Sequence, residues 1–409
     1  MLDVAATRAQ FPALGRKING VPVVYADGPG GTQVPEAVIA AMSRFLAQGG
    51  ANLGGAFVTS VETVEVVHRA RTAVADLLGA SRPDEIVFGQ NMTSLTLALG
   101  RALARTWRPG DEIVCTTLDH DANVSSWMQA AGEAGATVRL VDFDPDSGRL
   151  DPEAVAAALT RRTRLVAVTH ASNAIGTVVD VAAVAEAAKA VGALCFVDAV
   201  HYAPHGTIDV AGTGCDFLAV SAYKFFGPHI GALYGREERL AEVDAVRIRP
   251  APAAGPGKWE SGTQSFESLA GVTAAVDYLA SPDNSLGTGS TRRHRLVAAM
   301  GRIGAHETTL SARFLDGVSR IDRVTVRGIA GAEGRTPTFA VEVAGRSARA
   351  VAEELGRAGI FVWDGHYYAL EVMRRLGGPD GGLVRIGFVH YNTLDEVDRV
   401  LSALDALRS

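Results

Sequence analysis

Between about residue 60 and residue 245, short apolar runs alternate with helical stretches, and this alternation constrains the fold more than any other feature. The runs "EIVFG", "DEIVCTT", "TVRLVDF", "TRLVAVTH", "ALCFVDAV", "DFLAVSA" and "GALYG" read as strands. Between them "VETVEVVHRARTAVADLLGA", "SLTLALGRALA", "DPEAVAAALT" and "VAAVAEAAKAVGA" carry helical periodicity. Continuously apolar strands are buried on both faces, so the pattern predicts an α/β fold with a mostly parallel sheet covered by helices. The Pro/Gly-rich tract "RPAPAAGPGKWESG" (249–262) interrupts it as a loop. Beyond about residue 290 fewer strands stand among longer helices, which predicts a second, smaller α/β unit ending in "LVRIGFVHYNTLDEVDRVLSALDAL".

Composition removes several function classes. A chain of 409 residues supports a large core and two domains, and a net charge of −6 gives no attraction to nucleic acid or anionic membrane. No apolar run reaches the roughly 20 residues of a membrane span, and "MLDVAATRAQFPALGRK" lacks the layout of a secretory signal. Widely spaced Cys115, Cys195 and Cys215 suit reduced thiols rather than a disulfide framework or a zinc site. The expectation is a cytoplasmic enzyme or binding protein. Two glycine- and aspartate-rich stretches are decoys. "DFDPDSGRLDPE" (142–153) has calcium-loop spacing, but Ser147 replaces the required glycine and a strand precedes it, so a surface turn before a helix start at Asp151 is expected. "GGANLGG" (49–55) follows no strand and is no dinucleotide fingerprint.

The chemistry centres on one lysine. Of 39 Lys plus Arg only four are lysines, and Lys224 alone sits in an apolar, aromatic run, "VSAYKFFGPH". An ammonium is costly to bury unless it is paired or used chemically. A Schiff-base lysine needs helpers: a carboxylate for the ring nitrogen of pyridoxal phosphate, a phosphate site of backbone N–H groups and hydroxyls, and an aromatic over the ring. Asp198 ends the apolar strand "ALCFVDAVH"; Asn91, Met92 and Thr93 lie at a strand-to-helix junction; Ser221 precedes Lys224 by three residues; His120 follows the strand "DEIVCTT". Taken singly, each has an ordinary structural explanation as a cap, turn or core residue.

Taken in order, Thr93, "DHDAN", "SNAIGT", "VDAVH", "SAYK" and "ESGT" resemble the class V aminotransferase family of fold type I pyridoxal-phosphate enzymes, within it the cysteine desulfurases of the selenocysteine-lyase-like branch. The resemblance runs from "VVYADGPGGTQVP" to "VRIGFVHYNTLDEVD". It implies a large domain (20–288) with a mostly parallel seven-stranded sheet, a small domain (1–19 and 289–409), a pyridoxal 5'-phosphate cofactor and a homodimer with shared sites. It implies Lys224 as the aldimine lysine and α-proton shuttle, Asp198 as pyridinium partner and His120 as the stacked ring. Asn91, Met92, Thr93 and Ser221 match the phosphate side; Asn173, His201 and Tyr223 match further cofactor contacts, with His201 replacing a usual glutamine and Tyr223 a usual histidine. Thr263 matches a threonine reaching the neighbouring subunit's phosphate. Arg385 matches the arginine forking onto the substrate carboxylate, a geometry guanidinium suits, and Asn52 and Asn173 join it on the substrate side.

One departure concerns the reaction. Where desulfurases of this branch carry a cysteine in a loop like "GHHCAQP", this chain reads "VWDGHYYALEV", with Tyr368 at the cysteine position. A phenol has neither the nucleophilicity of a thiolate nor a sulfur-carrying form. The expectation is therefore β-elimination or related side-chain cleavage of a small amino acid without a persulfide, with His366, Tyr367 or Tyr368 hydrogen-bonding or protonating the leaving group. An aromatic wall is the competing role for that loop. Transamination, epimerisation and decarboxylation stay open. A non-catalytic relative is disfavoured because Lys224, Asp198, His120 and Arg385 are all present.

Overall fold

All seven apolar runs become strands of one sheet in the computed structural model, which describes residues 2–281, 290–378 and 381–407. They are β1 (Ile86–Gly89), β2 (Glu112–Thr116), β3 (Thr137–Val141), β4 (Thr163–Thr169), β5 (Leu194–Asp198), β6 (Phe217–Ser221) and β7 (Gly231–Gly235), in the spatial order β1-β7-β6-β5-β4-β2-β3. Four of the pairings are parallel, and β7 runs antiparallel to both β1 and β6. The connection 222–230 explains that reversal: it is shorter than the roughly dozen-residue crossover a parallel return needs.

The period-two geometry of each strand sends neighbouring residues to opposite faces. Val87, Ile113, Leu165, Phe196, Phe217 and Leu233 pack with helices Met92–Ala104 and Ser125–Ala134 on one face. Phe88, Val114, Val166, Val197, Leu218 and Tyr234 pack with helices Val58–Leu78, Val181–Val191 and Phe266–Leu279 on the other. Each such side chain contributes about 1.5–3 kcal/mol on full burial, so two covered faces outweigh the entropy of ordering the crossovers. β3, at the edge, exposes Thr137 and Arg139, which blunt an otherwise open strand. The decoy at 142–153 is the expected turn: Asp144 accepts from the Asp146 N–H (3.0 Å) and the Ser147 hydroxyl (2.7 Å), and Asp151 caps helix Pro152–Ala158.

The C-terminal sheet joins β8 (Val324–Arg327), β9 (Thr338–Val343), β11 (Leu383–Gly387) and β10 (Trp363–Gly365), in that spatial order and antiparallel throughout. Its core unites Phe339, Val341, Val384 and Ile386 with Phe314 of helix Arg292–Val318 and Val400 of helix Leu394–Ala406. Val24 and Ala26 belong to the same core, and the chain at 24–27 pairs with Ile360–Phe361 and bridges Asp27 to Gly387. The expected boundary at 288/289 lies outside the described residues. No helix among the described residues is long and apolar enough to cross a membrane.

Candidate active site

Loops at the carboxyl ends of the strands converge on a cavity of ≈ 930 Å³ whose far wall is the C-terminal sheet. That is where open α/β sheets place ligands, because the crossovers diverge there. Among the expected residues, Asn91, Met92, Thr93, His120, Asn173, Asp198, His201, Ser221, Tyr223, Lys224, His366, Tyr368 and Arg385 all line it. Asn52 and Thr263 do not: both are exposed, and the Asn52 carbonyl accepts from the Ser60 hydroxyl at 2.6 Å.

Lys224 ends the 3-10 turn Ala222–Lys224. The turn is held by Thr32, whose N–H and hydroxyl donate to the Tyr223 carbonyl (3.0 and 3.2 Å) and whose hydroxyl accepts from the Phe226 N–H (2.8 Å). Phe226 adopts φ 69°, a left-handed conformation unfavourable for a bulky residue. Its ring is fully buried against Phe11, Tyr278, His390 and Tyr391, and that packing compensates the strain. The Lys224 ammonium donates to the Pro29 carbonyl. Burial first, then the Arg385 cation, lowers its pKa to about 7, with Asp198 and Asp27 opposing. A fraction of this amine is therefore neutral at physiological pH and able to take a proton.

Asp198 is 4% exposed at the end of β5 and accepts from the Val200 N–H at 3.0 Å. Burial raises its pKa to about 6, and the backbone bond and Lys224 hold it from rising further. His120 is fixed by a chain behind it: Asn123 donates to Asp119 (2.6 Å) and accepts from the Trp127 indole (2.9 Å), while Thr116 donates to the other Asp119 oxygen. The His120 Nδ1 accepts from the Ala122 N–H (3.0 Å), leaving Nε2 as the protonated nitrogen of the neutral ring, and burial lowers its pKa to about 4.

The anion cradle forms at the start of helix Met92–Ala104. Asn91 caps it by accepting from the Ser94 N–H (2.9 Å), and the Ser221 hydroxyl accepts from the Met92 N–H (3.0 Å). The Thr93 N–H, which has no hydrogen-bond partner among the described residues, and the helix dipole favour an anion there. Opposite stands Arg385, fully inside the fold on β11. It donates to the Asn173 carbonyl (2.9 Å) and lies over the Tyr367 ring at 4.6 Å from its centroid. Burial lowers its pKa only to about 10, so it stays a cation.

The loop after β10 carries two successive left-handed residues, Tyr367 (φ 54°) and Tyr368 (φ 57°). Asn173 Nδ2 donates to the Tyr367 carbonyl (2.9 Å) and the Asp121 N–H to the Tyr368 carbonyl (2.6 Å), so the strained loop is tied to two strand ends. Tyr368, 69% exposed, stacks on His120 (centroids 5.7 Å, 21°). His366 Nδ1 accepts from the Tyr368 N–H (3.1 Å), which makes its Nε2 a donor when neutral. His201 Nε2 lies 3.1 and 3.0 Å from the Thr336 and Thr338 hydroxyls, and burial keeps its pKa well down. All three cysteines are buried in or beside the large sheet, and none lines the cavity.

Asp27 was not anticipated as a site residue. Burial raises its pKa to about 6, and a backbone hydrogen bond and the Arg385 and Lys224 cations oppose the rise. "YADGPGG" was visible in the sequence, but its partner Gly387 lies near the other end of the chain. Lys258 provides a contrast: it is also buried, yet its ammonium only closes carbonyls of Leu240 (3.1 Å) and Ala241 (2.9 Å) at a helix end. Burial of a lysine does not by itself mark chemistry.

Among the buried polar atoms of the described residues that lack a hydrogen-bond partner, Asn173 Oδ1, Arg385 Nε and Tyr367 Oη belong to residues lining the cavity, and Asp27 Oδ1 is another. Orphans of this kind are rare and costly unless a ligand or water satisfies them. With the cradle, the buried carboxylate and the depressed lysine, they fit pyridoxal 5'-phosphate together with an amino acid.

Comparison with known proteins agrees. The family model for aminotransferase class-V matches residues 24–400. An aminotransferase-like protein of Gibberella zeae is 33% identical, with 98% of each chain covered. A probable cysteine desulfurase of Mycobacterium leprae is 35% identical over 99% of this chain and 97% of its own. The solved cysteine desulfurase of Thermococcus onnurineus superposes with a TM-score of 0.88 at 27% identity, covering 99% of this chain and 98% of its own.

Proposed function

We propose, on the premise that the chain belongs to the aminotransferase class-V family, that this pyridoxal-5'-phosphate-dependent enzyme cleaves the β-side chain of a small amino acid, such as an S-substituted cysteine, without a protein persulfide. The cofactor, when bound, supplies an electron sink conjugated to the substrate α-carbon. The observation that carries the reading is the cavity wall at 366–368: it presents His366, Tyr367 and Tyr368, and no thiol reaches it.

The residues divide the work. Lys224 anchors the cofactor and takes the α-proton, a role its pKa of about 7 suits. Asp198 stands as the anionic partner of the ring nitrogen, and His120 covers the ring face. Asn91, Met92, Thr93 and Ser221 hold the phosphate, and Arg385 with Asn173 holds the substrate carboxylate. His366 hydrogen-bonds the departing sulfur through its Nε2–H, and the thiolate that leaves takes its proton from solvent. Loss of the side chain as a thiol, followed by hydrolysis, converts the S-substituted cysteine and one water into pyruvate, ammonium and the thiol.

Two copies form the working unit in this reading. Ile39, Leu46, Phe57, Val58, Val61 and Val64 expose large apolar side chains along helices Glu36–Gln48 and Val58–Leu78, more than a free surface ordinarily leaves uncovered. Thr263, exposed on its own chain, then reaches the neighbour's phosphate. The loop bearing it is pinned by Glu260, which accepts from Arg71 (2.7 Å) and the Phe88 N–H (2.8 Å).

The reaction is tested by incubating holoenzyme with cysteine, cysteine sulfinate and S-substituted cysteines while following pyruvate, alanine, ammonium and the 2-oxo acid with intact side chain. Pyruvate matched by free thiol from an S-substituted cysteine supports the reading. The intact 2-oxo acid as main product replaces it with transamination.

A further inference from the structure

Tyr223 and His229 lie face to face in the cavity wall, their ring centroids 4.9 Å apart and their planes within 10°. The backbone explains why this stack sits at the anion cradle. β7 starts at Gly231, which pairs with Gly89 on one side and Ser221 on the other. A Cβ on Gly231 would collide with the backbone of Asn91, so the turn at 228–230 is pressed onto the cap of helix Met92–Ala104. The Ala222 N–H donates to the Ile230 carbonyl (2.7 Å) and the Ile230 N–H to the Pro228 carbonyl (2.9 Å), which fixes the turn from both sides. The His229 ring is stacked but makes no hydrogen bond to another described residue.

We propose that His229 is a phosphate-binding residue: its ring N–H donates to the cofactor phosphate, and Tyr223 is the platform that orients the ring. The other side chains of the cradle, Asn91, Thr93 and Ser221, are neutral, whereas the phosphate is an anion of more than one charge. Histidine adds a donor able to carry positive charge, and charge-assisted hydrogen bonds are the strong ones. The inference rests on binding of the cofactor and is independent of which substrate bond breaks.

The test uses the full chain stripped of cofactor and compares its affinity for pyridoxal 5'-phosphate with that for pyridoxal, which lacks the phosphate. The ratio of the dissociation constant for pyridoxal to that for pyridoxal 5'-phosphate isolates the phosphate contacts. In His229→Ala and in His229→Phe the ratio falls by about 10- to 100-fold, the range set by one hydrogen bond to a charged group, while pyridoxal affinity stays within about twofold. His229→Phe keeps a ring on Tyr223, so a purely structural role would leave its ratio at the unaltered value, and that result overturns the proposal. A ratio unchanged in both variants overturns it equally. If the unaltered chain binds neither compound, the cofactor assignment itself fails and the inference with it. Titration of the stripped protein with inorganic phosphate supplies an independent readout: His229 ring resonances shift, and their failure to move contradicts the proposal.

Discussion

Replacing Asp198 by asparagine should make the cofactor-free protein gain stability relative to wild type as pH rises, because this carboxylate is held against its preference. Burial raises its pKa from 3.8 to about 6. A raised folded-state pKa means that the protonated form is favoured in the fold; the stability this gives is complete below pH 3.8 and is lost as pH climbs through 6. The whole loss corresponds to about 3 kcal/mol, at 1.36 kcal/mol per pKa unit, and about 2 kcal/mol of it falls between pH 4.5 and 7.5. The amide of the Asp198→Asn variant cannot ionise, so the variant escapes this loss. It retains an acceptor for the Val200 N–H but buries an extra NH₂ group, a constant cost of about 1–3 kcal/mol that does not change with pH. Urea unfolding of both cofactor-free proteins across that pH range isolates the variable part. The expected result is a wild-type-minus-variant difference that falls by about 2 kcal/mol as pH rises. A flat difference would refute the claim that the fold holds an ionised Asp198 at a cost, and with it the physical reason for assigning Asp198 to a positively charged ring nitrogen.

Other consequences follow from the same geometry. Lys224→Ala should abolish the visible absorbance of lysine-bound cofactor and its borohydride-trapped mass, whereas Lys258→Ala, which removes only a helix-end contact, should leave both intact. Arg385→Lys exchanges a fork for a single point and loses one charged hydrogen bond, so kcat/KM should fall roughly 10- to 100-fold, mostly through KM; an unchanged KM would place the substrate carboxylate elsewhere. His366→Phe should lower kcat by about 10- to 100-fold for substrates with poor thiol leaving groups and much less for good ones; equal losses would remove His366 as the hydrogen-bond donor to the sulfur. Phe57→Asp with Val61→Asp should yield monomers in sedimentation and weaken cofactor binding, since Thr263 then has no neighbour to reach.

The large sheet was legible because most of its strands are apolar on both faces and most are joined by helices, so local pattern and global fold agree. Lys224, Asp198, His120 and the Asn91–Thr93 cradle were legible for a related reason: each stands at a strand end, where sequence position nearly fixes spatial position. Contacts that close only in three dimensions were not. Asp27 is brought under the influence of Arg385 because the chain at 24–27 joins the C-terminal sheet. His229 becomes interesting only once Gly231 is seen pressed on Asn91. Phe226 carries no turn signature; its left-handed backbone is imposed by aromatic packing. Asn52 and Thr263 lie away from this chain's cavity, and their expected roles require the second copy.

The central claim is that side-chain cleavage here needs no sulfur-carrying thiol. Its most direct test is the intact mass of the protein, quenched during turnover of L-cysteine and of an S-substituted cysteine, with the products measured in the same samples. The account predicts an unmodified chain mass, apart from cofactor, together with pyruvate matched by sulfide from L-cysteine and by the free thiol from the S-substituted cysteine. Alanine accompanied by a chain heavier by one sulfur atom, or no turnover of either compound, would contradict it.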